Sequence, residues 1–394
     1  MFIQDPIHGY IRLEGLERDL LDTEEFQRLR RIKQLGFTNL VYPSTTHTRF
    51  EHSLGATYLA GKFADYLELD EDDRNHLRAA AMLHDIGHGA YSHTSEMAFV
   101  KEGYSHEDFS VRKIREDSIS GVLEEHGVSP DRVVSLVRGE GELGQIIAGD
   151  IDVDRMDYLM RDSHYSGVAH GTIDAETIMR GATFREGRLV FKSEFRQALE
   201  GLLAARYLMI PTVYMHEGVI RAEKMMERAI DEYLDEEDRP ARCLSEMDDI
   251  DLKYILRNTD NERARYLNQC LDNRKVFKTA LRFDRGDVGE EGIVEFSEKI
   301  RNERGLEARI ASEAGVERKE VLVNSPSIPK KKELQIDILR KDSIINLEDL
   351  SKVSKAINES IWDRVYMDVY SARDVSDEVG EAAGKVLKEQ GLTN

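Results

Sequence analysis

Residues 77–93 read LRAAAMLHDIGHGAYSH, and the fold is decided by how that stretch is interpreted. Leu77, Ala80, Ala81 and Leu83 recur at helical spacing, which predicts a core-facing helix over about Asp73–Ile86 that Gly87 ends. His84 and Asp85 stand near its C-terminal end. Burying a carboxylate beside an imidazole is costly unless something pairs with both, and a divalent cation does so. Working outward, the preceding apolar pattern Leu54, Tyr58, Leu59, Phe63 predicts a helix over about Glu51–Leu67. Antiparallel packing of the two helices brings His52 level with His84, and Asp154, on a later helix over Asp154–Asp162, closes the group. Two imidazoles and two carboxylates suit Mn²⁺, Fe²⁺, Zn²⁺, Ni²⁺ or Mg²⁺ with positions left open for water, which makes the expected site catalytic rather than structural.

Composition agrees with a globular, helical chain. Of 394 residues, 40% are hydrophobic and 33% charged, with only 7 prolines, enough apolar content for a core and few helix breakers. The net charge of −21 repels the phosphates of duplex nucleic acid and excludes a generic nucleic-acid binder. A small phosphorylated substrate stays open, because a local pocket of Arg, Lys and metal reverses the sign. Cys243 and Cys270 have no metal spacing and argue against a disulfide framework. No stretch reaches the roughly 20 apolar residues of a membrane span, and the N-terminus lacks a signal-peptide pattern. A cytoplasmic protein is the expectation.

Around the central motif, residues 1–14 read as an extended segment or hairpin. Asp22 opens a helix, with Glu25 completing a capping box, that runs through Lys33 to Gly36. Further helices are expected near 105–117, 118–126, 130–138 and 143–149, a hairpin around Glu186-Gly187, and a helical run Ser193–Leu234 interrupted at Pro211. Helices near 241–257, 260–282 and 289–303 precede strands at Glu320–Asn324, Leu334–Leu339 and Arg364–Tyr370, with a helix over Leu347–Ile361 between the last two. The expected division is a core over 1–240, carrying its metal motifs in 49–162, and a helical and α/β region over 241–394. Lys330-Lys331-Lys332 reads as a solvated loop, with phosphate binding across a subunit interface as the functional alternative.

The flanks make the motif specific. They read Arg49-Phe-Glu-His52-Ser-Leu-Gly, Leu83-His84-Asp85-Ile-Gly-His88-Gly-Ala-Tyr-Ser-His93, His106-Glu107, and Ile151-Asp-Val-Asp154-Arg-Met-Asp-Tyr158-Leu-Met-Arg-Asp162. In order and spacing, residues 1–230 resemble the HD-domain phosphohydrolases, in the branch of the deoxynucleoside triphosphate triphosphohydrolases. The resemblance implies a mainly α fold, an HD-domain helical core with a small C-terminal α/β extension. It implies that His52, His84, Asp85 and Asp154 hold one divalent metal, with additional Mg²⁺ arriving on the nucleotide. It also implies a homo-oligomer, dimer or tetramer.

Phosphoester hydrolysis needs a positioned water, a cation for the developing charge and an acid for the leaving oxygen. His93 is the expected acid, with Glu107 or Asp85 tuning a neighbouring imidazole. His88 and His106 are expected on phosphate oxygens, or as hydrogen bonders behind the ligands. Arg49, three residues before His52, offers a fork to phosphate. By resemblance, Arg155 faces the triphosphate, and Gln34, Tyr158, Asp162, Arg206 and Tyr214 line the sugar pocket. There Asp162 accepts the 3′-hydroxyl and a packed tyrosine excludes a 2′-hydroxyl. Ile210 stands where vertebrate-type relatives carry histidine. Asp22, Gln27 and Arg30 resemble a nucleotide-reading activator site.

Three functions follow. The first is hydrolysis of deoxynucleoside triphosphates (dNTPs) to deoxynucleoside and triphosphate. The second is hydrolysis of another phosphorylated substrate, such as a nucleoside monophosphate or cyclic nucleotide, at the same metal site. The third is a non-catalytic nucleotide sensor, which the intact His52, His84, Asp85, Asp154 and His93 disfavour.

Overall fold

The computed structural model describes residues 1–284, 303–325, 335–360 and 366–389. The lysine run at 330–332 and nearly all of the helix expected at 289–303 lie outside those residues. The fold is mainly α, with small sheets. In chain order the first elements are strands β1 (Phe2–Asp5) and β2 (Gly9–Arg12), then helices α1 (Gly15–Leu21), α2 (Glu24–Arg28), α3 (Arg49–Tyr66) and α4 (Glu71–Leu83). Next come α5 (His93–Lys101), α6 (His106–Ile114), α7 (Asp117–Glu125), α8 (Pro130–Val137), α9 (Gly141–Ile147), α10 (Val153–Ser166) and α11 (Ala175–Gly181). Strands β3 (Ala182–Arg185) and β4 (Arg188–Lys192) precede α12 (Arg196–Met209), α13 (Glu217–Glu236), α14 (Asp249–Asn258) and α15 (Glu262–Asp272).

The chain forms two compact units. The first comprises Met1–Tyr214, Pro240–Leu252 and Leu334–Ile357. In it α3 packs against α4 and α10, around a core that includes Phe26, Leu54, Phe63, Leu77, Leu83 and Met156, all at most 2% exposed. Burying side chains of this size contributes about 1.5–3 kcal/mol each. Strands β7 (Asp337–Arg340) and β8 (Ser343–Asn346) extend the β3–β4 hairpin into a four-stranded sheet ordered β3-β4-β7-β8. The β4–β7 contact is parallel and the other two are antiparallel.

The second unit contains α13, α15 and an antiparallel sheet ordered β5-β9-β6, with β5 at Lys278–Asp284, β6 at Val321–Asn324 and β9 at Tyr366–Ser371. Helices at Glu303–Ala314 and Ser376–Glu389 cover it through Ile310, Val379, Ala383 and Leu387. A buried ion network ties its helices together: Arg228 bonds Glu303 and Glu307 at 2.8 Å each, Arg263 bonds Glu307 at 2.9 Å, and Lys224 bonds Glu303 at 2.8 Å.

Local chemistry explains where elements differ from the expectation. Asp22 does not open a helix; it caps the C-terminus of α1, and Thr23 is the N-cap of α2, its side chain accepting from Phe26 N. The helix expected to reach Gly36 stops at Arg28, because Leu29–Arg31 tighten to a 3₁₀ turn and Ile32 becomes extended. There the Ile32 carbonyl accepts from Arg49 N at 2.9 Å, which leads the chain into α3. The helix expected over 260–282 ends at Asp272, and Lys278–Asp284 is a strand paired with β9, where Arg282 forks onto Asp368 at 2.7 and 3.0 Å. Helix α4 ends at Leu83, so Gly87 does not terminate it. Gly87 instead lets the loop approach α6, since a Cβ there would lie 2.1 Å from Ser110 N and 2.4 Å from the His106 carbonyl.

Candidate active site

Three caps aim the side chains of the site. Thr48 and Glu51 close a capping box at the start of α3, Thr48 N donating to Glu51 at 2.8 Å, which fixes Arg49 and His52 in its first turns. Asp70 caps α4 by accepting from Asp73 N at 2.8 Å, and Glu71, Asp72 and Asp73 suit the positive end of its dipole. Asp152 caps α10 by accepting from Arg155 N at 2.7 Å, leaving Asp154 in the first turn.

These helices bring His52, His84, Asp85 and Asp154 together. His52 Nε2 lies 2.9 Å from Asp154 Oδ1 and 3.6 Å from Asp85 Oδ2, while His84 Nε2 lies 3.4 Å from Asp85 Oδ1 and 3.7 Å from Asp154 Oδ1. The other ring nitrogens are committed. His84 Nδ1 donates to the Ala81 carbonyl at 2.8 Å, and His52 Nδ1 donates to Asp157 Oδ2 at 2.8 Å. In its neutral form each ring therefore turns the Nε2 lone pair inward, and both Nε2 atoms are buried without a hydrogen-bond partner. Burial alone would discharge His52, but Asp154 and Asp157 raise it to about 10. Burial likewise opposes charge on Asp154, yet His52 and His84 hold it well below the usual carboxylate range. With both rings neutral, as metal ligands are, the two carboxylates leave the donor set with negative charge that a divalent cation relieves. Two inward lone pairs and two carboxylates fit such an ion.

Asp85 has a second partner. Arg49, 3% exposed, donates from Nη1 to Asp85 Oδ2 at 2.6 Å and from Nε to Ser92 Oγ at 3.0 Å. Burial opposes the Asp85 charge, but Arg49, His84 and His88 hold its carboxyl well below the usual range. The fork expected to be free for phosphate is thus partly spent; Nη2 points toward His93 Nε2 at 3.5 Å.

His88 and His106 stack with ring centroids 3.9 Å apart, and His88 Nε2 lies 3.3 Å from Asp85 Oδ1. Burial, then Arg49 and His106, push His88 well below its ordinary value, so it is a neutral imidazole. His93 opens α5, a helix absent from the sequence reading, and its side chain is 70% exposed. Of the two carboxylates expected to tune an imidazole, Glu107 is exposed on the first turn of α6 and Asp85 lies beside His84 and His88. A third carboxylate, Glu96, bonds two of the imidazoles. It accepts from His93 Nδ1 at 2.9 Å and from His106 Nδ1 at 2.5 Å. Burial favours its neutral form, but those two bonds keep it ionised far below the usual range.

Two residues with positive φ, Tyr91 at 58° and Ser92 at 51°, deliver the chain to His93. Such strain persists only where surroundings over-determine it. Here Tyr91 N donates to Asp249 Oδ1 at 2.7 Å, Ser92 Oγ donates to the Lys33 carbonyl at 2.9 Å, and Tyr91 stacks on Phe37.

Beside this cluster lies a second polar group. Asp162, 1% exposed, accepts from His47 Nε2 at 2.8 Å and from the Tyr214 hydroxyl at 2.9 Å. Tyr158 meets Tyr214 edge to face at 6.2 Å, and burial pushes its hydroxyl up to about 12. Arg206 lies close enough to Tyr158 and Tyr214 to act on both electrostatically. Gln34 is buried, with Oε1 unpaired and its backbone N bonded to the His47 carbonyl at 3.0 Å. Arg155 folds back on its own loop, donating to the Asp150 carbonyl at 3.0 Å and to Asp152 at 2.8 Å. Earlier in the chain, exposed Arg30 donates to Gln27 at 2.8 Å and lies over the Phe50 ring, while Asp22 is exposed at the α1 cap.

The sequence reading missed His8, His47, Glu96, Asp157 and Arg161. Asp157 had a local signal: it sits three residues after Asp154 and four before Arg161, on one helical face. Glu96 and His47 had none, because their partners are remote in sequence or look like ordinary helix-surface pairs.

Comparison with known proteins identifies the family of this chain. The profile of the HD domain matches residues 49–162, and that of the HD associated region matches residues 173–391. An uncharacterized protein of Methanocaldococcus jannaschii is 35% identical over 98% of this chain and 84% of its own length. A deoxynucleoside triphosphate triphosphohydrolase SAMHD1 homolog of Dictyostelium discoideum is 31% identical over 70% of this chain, which spans 59% of that protein. The crystal structure of a Bacteroides thetaiotaomicron phosphohydrolase superposes with a TM-score of 0.75 at 27% identity, covering 95% of this chain and 100% of the other. No helix among the described residues is long and apolar enough to cross a membrane.

Proposed function

The chain belongs to the HD-domain phosphohydrolases, and we propose that it hydrolyses deoxynucleoside triphosphates to deoxynucleoside and triphosphate. The observation that carries the proposal is the adjacency of two groups on α10: Asp154 among the inward-facing donors, and Asp162 two turns later, bonded to Tyr214. The name of the Dictyostelium relative supports the same substrate.

In this reading His52, His84, Asp85 and Asp154 hold the divalent metal. Bound there, it supplies Lewis-acid stabilisation of phosphoryl charge and a water of lowered pKa. His93 keeps Nδ1 bonded to Glu96, so its Nε2 is the atom that delivers a proton to the departing 5′-oxygen. Glu96 stabilises the imidazolium before transfer. Arg49, held by Asp85 and Ser92, directs Nη2 to the same side and offsets charge on phosphate oxygens. His88 and His106 stack beside it as neutral or hydrogen-bonding rings. Asp162 and Tyr214 receive the sugar hydroxyl edge, and Tyr158 closes against C2′, leaving no room for a 2′-hydroxyl. Arg155 orders the 149–152 loop and reaches the triphosphate only if it exchanges those bonds. Activator binding at Asp22, Gln27 and Arg30, and assembly into a homo-oligomer, belong to the same proposal.

The test is direct. Protein reconstituted in turn with Mn²⁺, Mg²⁺, Fe²⁺ and Co²⁺ is incubated with each dNTP, and products are separated by ion exchange. Deoxynucleoside with intact triphosphate is expected. Untouched dNTPs under every metal, with and without GTP or dGTP, would refute the substrate and move the search to monophosphates and cyclic nucleotides.

A further inference from the structure

Asp157 is fully buried and its carboxylate is saturated. Oδ1 accepts from His8 Nε2 at 2.7 Å and Arg161 Nη2 at 3.0 Å; Oδ2 accepts from His52 Nδ1 at 2.8 Å and Arg161 Nε at 2.8 Å. Four donors fill the roughly four lone-pair sites a carboxylate offers. Arg161, itself fully buried, gives its remaining Nη1 to Asp5 Oδ2 at 2.8 Å. Asp5 Oδ1 in turn accepts from Ile7 N at 2.8 Å and His8 N at 2.9 Å, folding the turn between β1 and β2 back on itself. The His8 ring lies 4.9 Å from that of Tyr58 on α3. Gly55, one turn beyond His52, is a hollow made for this pair: a Cβ there would lie 1.8 Å from Asp157 Oδ1 and 2.5 Å from Arg161 Nη2.

We propose that the N-terminal turn Asp5–His8 is a clasp that orients His52 through Asp157, making His8 a positioning residue for metal binding. It rests on the reading of His52 as a ligand, and it places a determinant of metal affinity outside the 49–162 segment. Two routes converge on the same carboxylate. Asp5 anchors the guanidinium that forks onto Asp157, and His8 fills the last lone pair on the oxygen opposite His52. With both in place, Asp157 has one orientation, His52 has one tautomer, and Nε2 presents its lone pair without reorganisation. Without His8, Oδ1 keeps a single donor in a dry environment, and the carboxylate pivots or admits water at the expense of its bond to His52. Partners behind a ligand typically govern metal affinity by 10- to 100-fold.

The probe is Co²⁺ alone, measured on the full chain by equilibrium dialysis and by its visible absorption, for wild type, His8→Ala, His8→Gln, Asp157→Asn and Asp154→Ala. Glutamine places an amide N–H near the Nε2 position and preserves donation to Asp157. His8→Ala is expected to weaken Co²⁺ binding at least about tenfold and alter the spectrum, with His8→Gln restoring affinity to within about threefold of wild type. Asp157→Asn should weaken binding at least as much as His8→Ala. Wild-type affinity and spectrum in His8→Ala, with binding lost in Asp154→Ala, would overturn the clasp while leaving the metal centre standing. Equal weakening in His8→Ala and His8→Gln, or loss of the folded state in both by circular dichroism, would overturn the positioning role. Co²⁺ binding indifferent to Asp154→Ala would overturn the ligand assignment and the clasp with it.

Discussion

Glu96 sits 2.9 Å from the Nδ1 of His93, holding an otherwise exposed imidazole in one tautomer at the edge of a buried histidine cluster. A helix-surface glutamate three residues from a histidine thereby becomes the group that sets its proton. Glu96→Gln should lower kcat by about 10²-fold with little change in KM, within the range general-acid catalysis contributes. Glu107→Gln, one residue beyond His106 and exposed, should leave kcat within about twofold, well below that range. Equal effects of the two substitutions would remove Glu96 from its role; the measurement is steady-state kinetics on the metal-loaded protein.

What the sequence made legible follows from how each residue is used. His52, His84, Asp85 and Asp154 sit in contiguous motifs of residue types that are costly to bury, so their chemistry can be read locally. Helices α4, α8 and α10 carry clear caps and apolar periodicity, and α3 is capped but buried on nearly every side. Helix α5 does not: Met97 and Val100 face solvent while Ala98 and Phe99 are buried, so its apolar residues mark no single face. Strand β5 reads as a continuation of α15 because Lys278–Asp284 has no clean alternation; its state is set by pairing with β9 and by the Arg282–Asp368 fork. Glu96, His47 and His8 gain their meaning only from partners brought near by folding.

Asp154→Ala should reduce metal content to background and turnover by at least about 10²–10³-fold, the scale seen when one electrostatic stabiliser of a transition state is removed. The fold should survive, since Asp154 is a second-position residue of α10 and not its cap. Elemental analysis beside circular dichroism checks both; retained activity would defeat the ligand assignment.

Gly87 fits no larger side chain. Gly87→Ala forces contact with Ser110 N and the His106 carbonyl, an overpacking that should cost about 1–3 kcal/mol in chemical denaturation. The displaced element is α6, which carries His106, so kcat should fall along with stability. An unchanged unfolding midpoint would contradict the close approach.

Tyr158→Ala opens space beside the Asp162–Tyr214 pair. The ratio of kcat/KM for dATP over ATP should fall by about tenfold or more, because steric exclusion rather than a lost hydrogen bond sets the preference. A ratio that does not move would place the discrimination elsewhere.

Stability should be acid-sensitive through Glu303. Burial raises its carboxyl, but Lys224 and Arg228 prevail and hold it at about 2. A depressed carboxylate contributes stability that is complete above its unfolded value near 4.5 and is lost as pH falls toward 2. The difference corresponds to about 3 kcal/mol. Glu303→Gln should therefore be less stable than wild type at pH 7, with the gap closing between about pH 4.5 and 2. Thermal unfolding across that range measures it; a gap that persists at pH 2 would rule the charge out as its source.

The Asp249 carboxylate that receives Tyr91 N reaches the first unit only because the chain, having left after Tyr214, comes back for Pro240–Leu252. The strained approach to His93 is thus fastened by residues far downstream of 49–162. Cutting the gene after residue 162 would leave His52, His84, Asp85 and Asp154 encoded and the turn into His93 unfastened. The approach to His93 is held by distant segments of the chain, and any excision, fusion or circular permutation has to spare the returning Pro240–Leu252 segment.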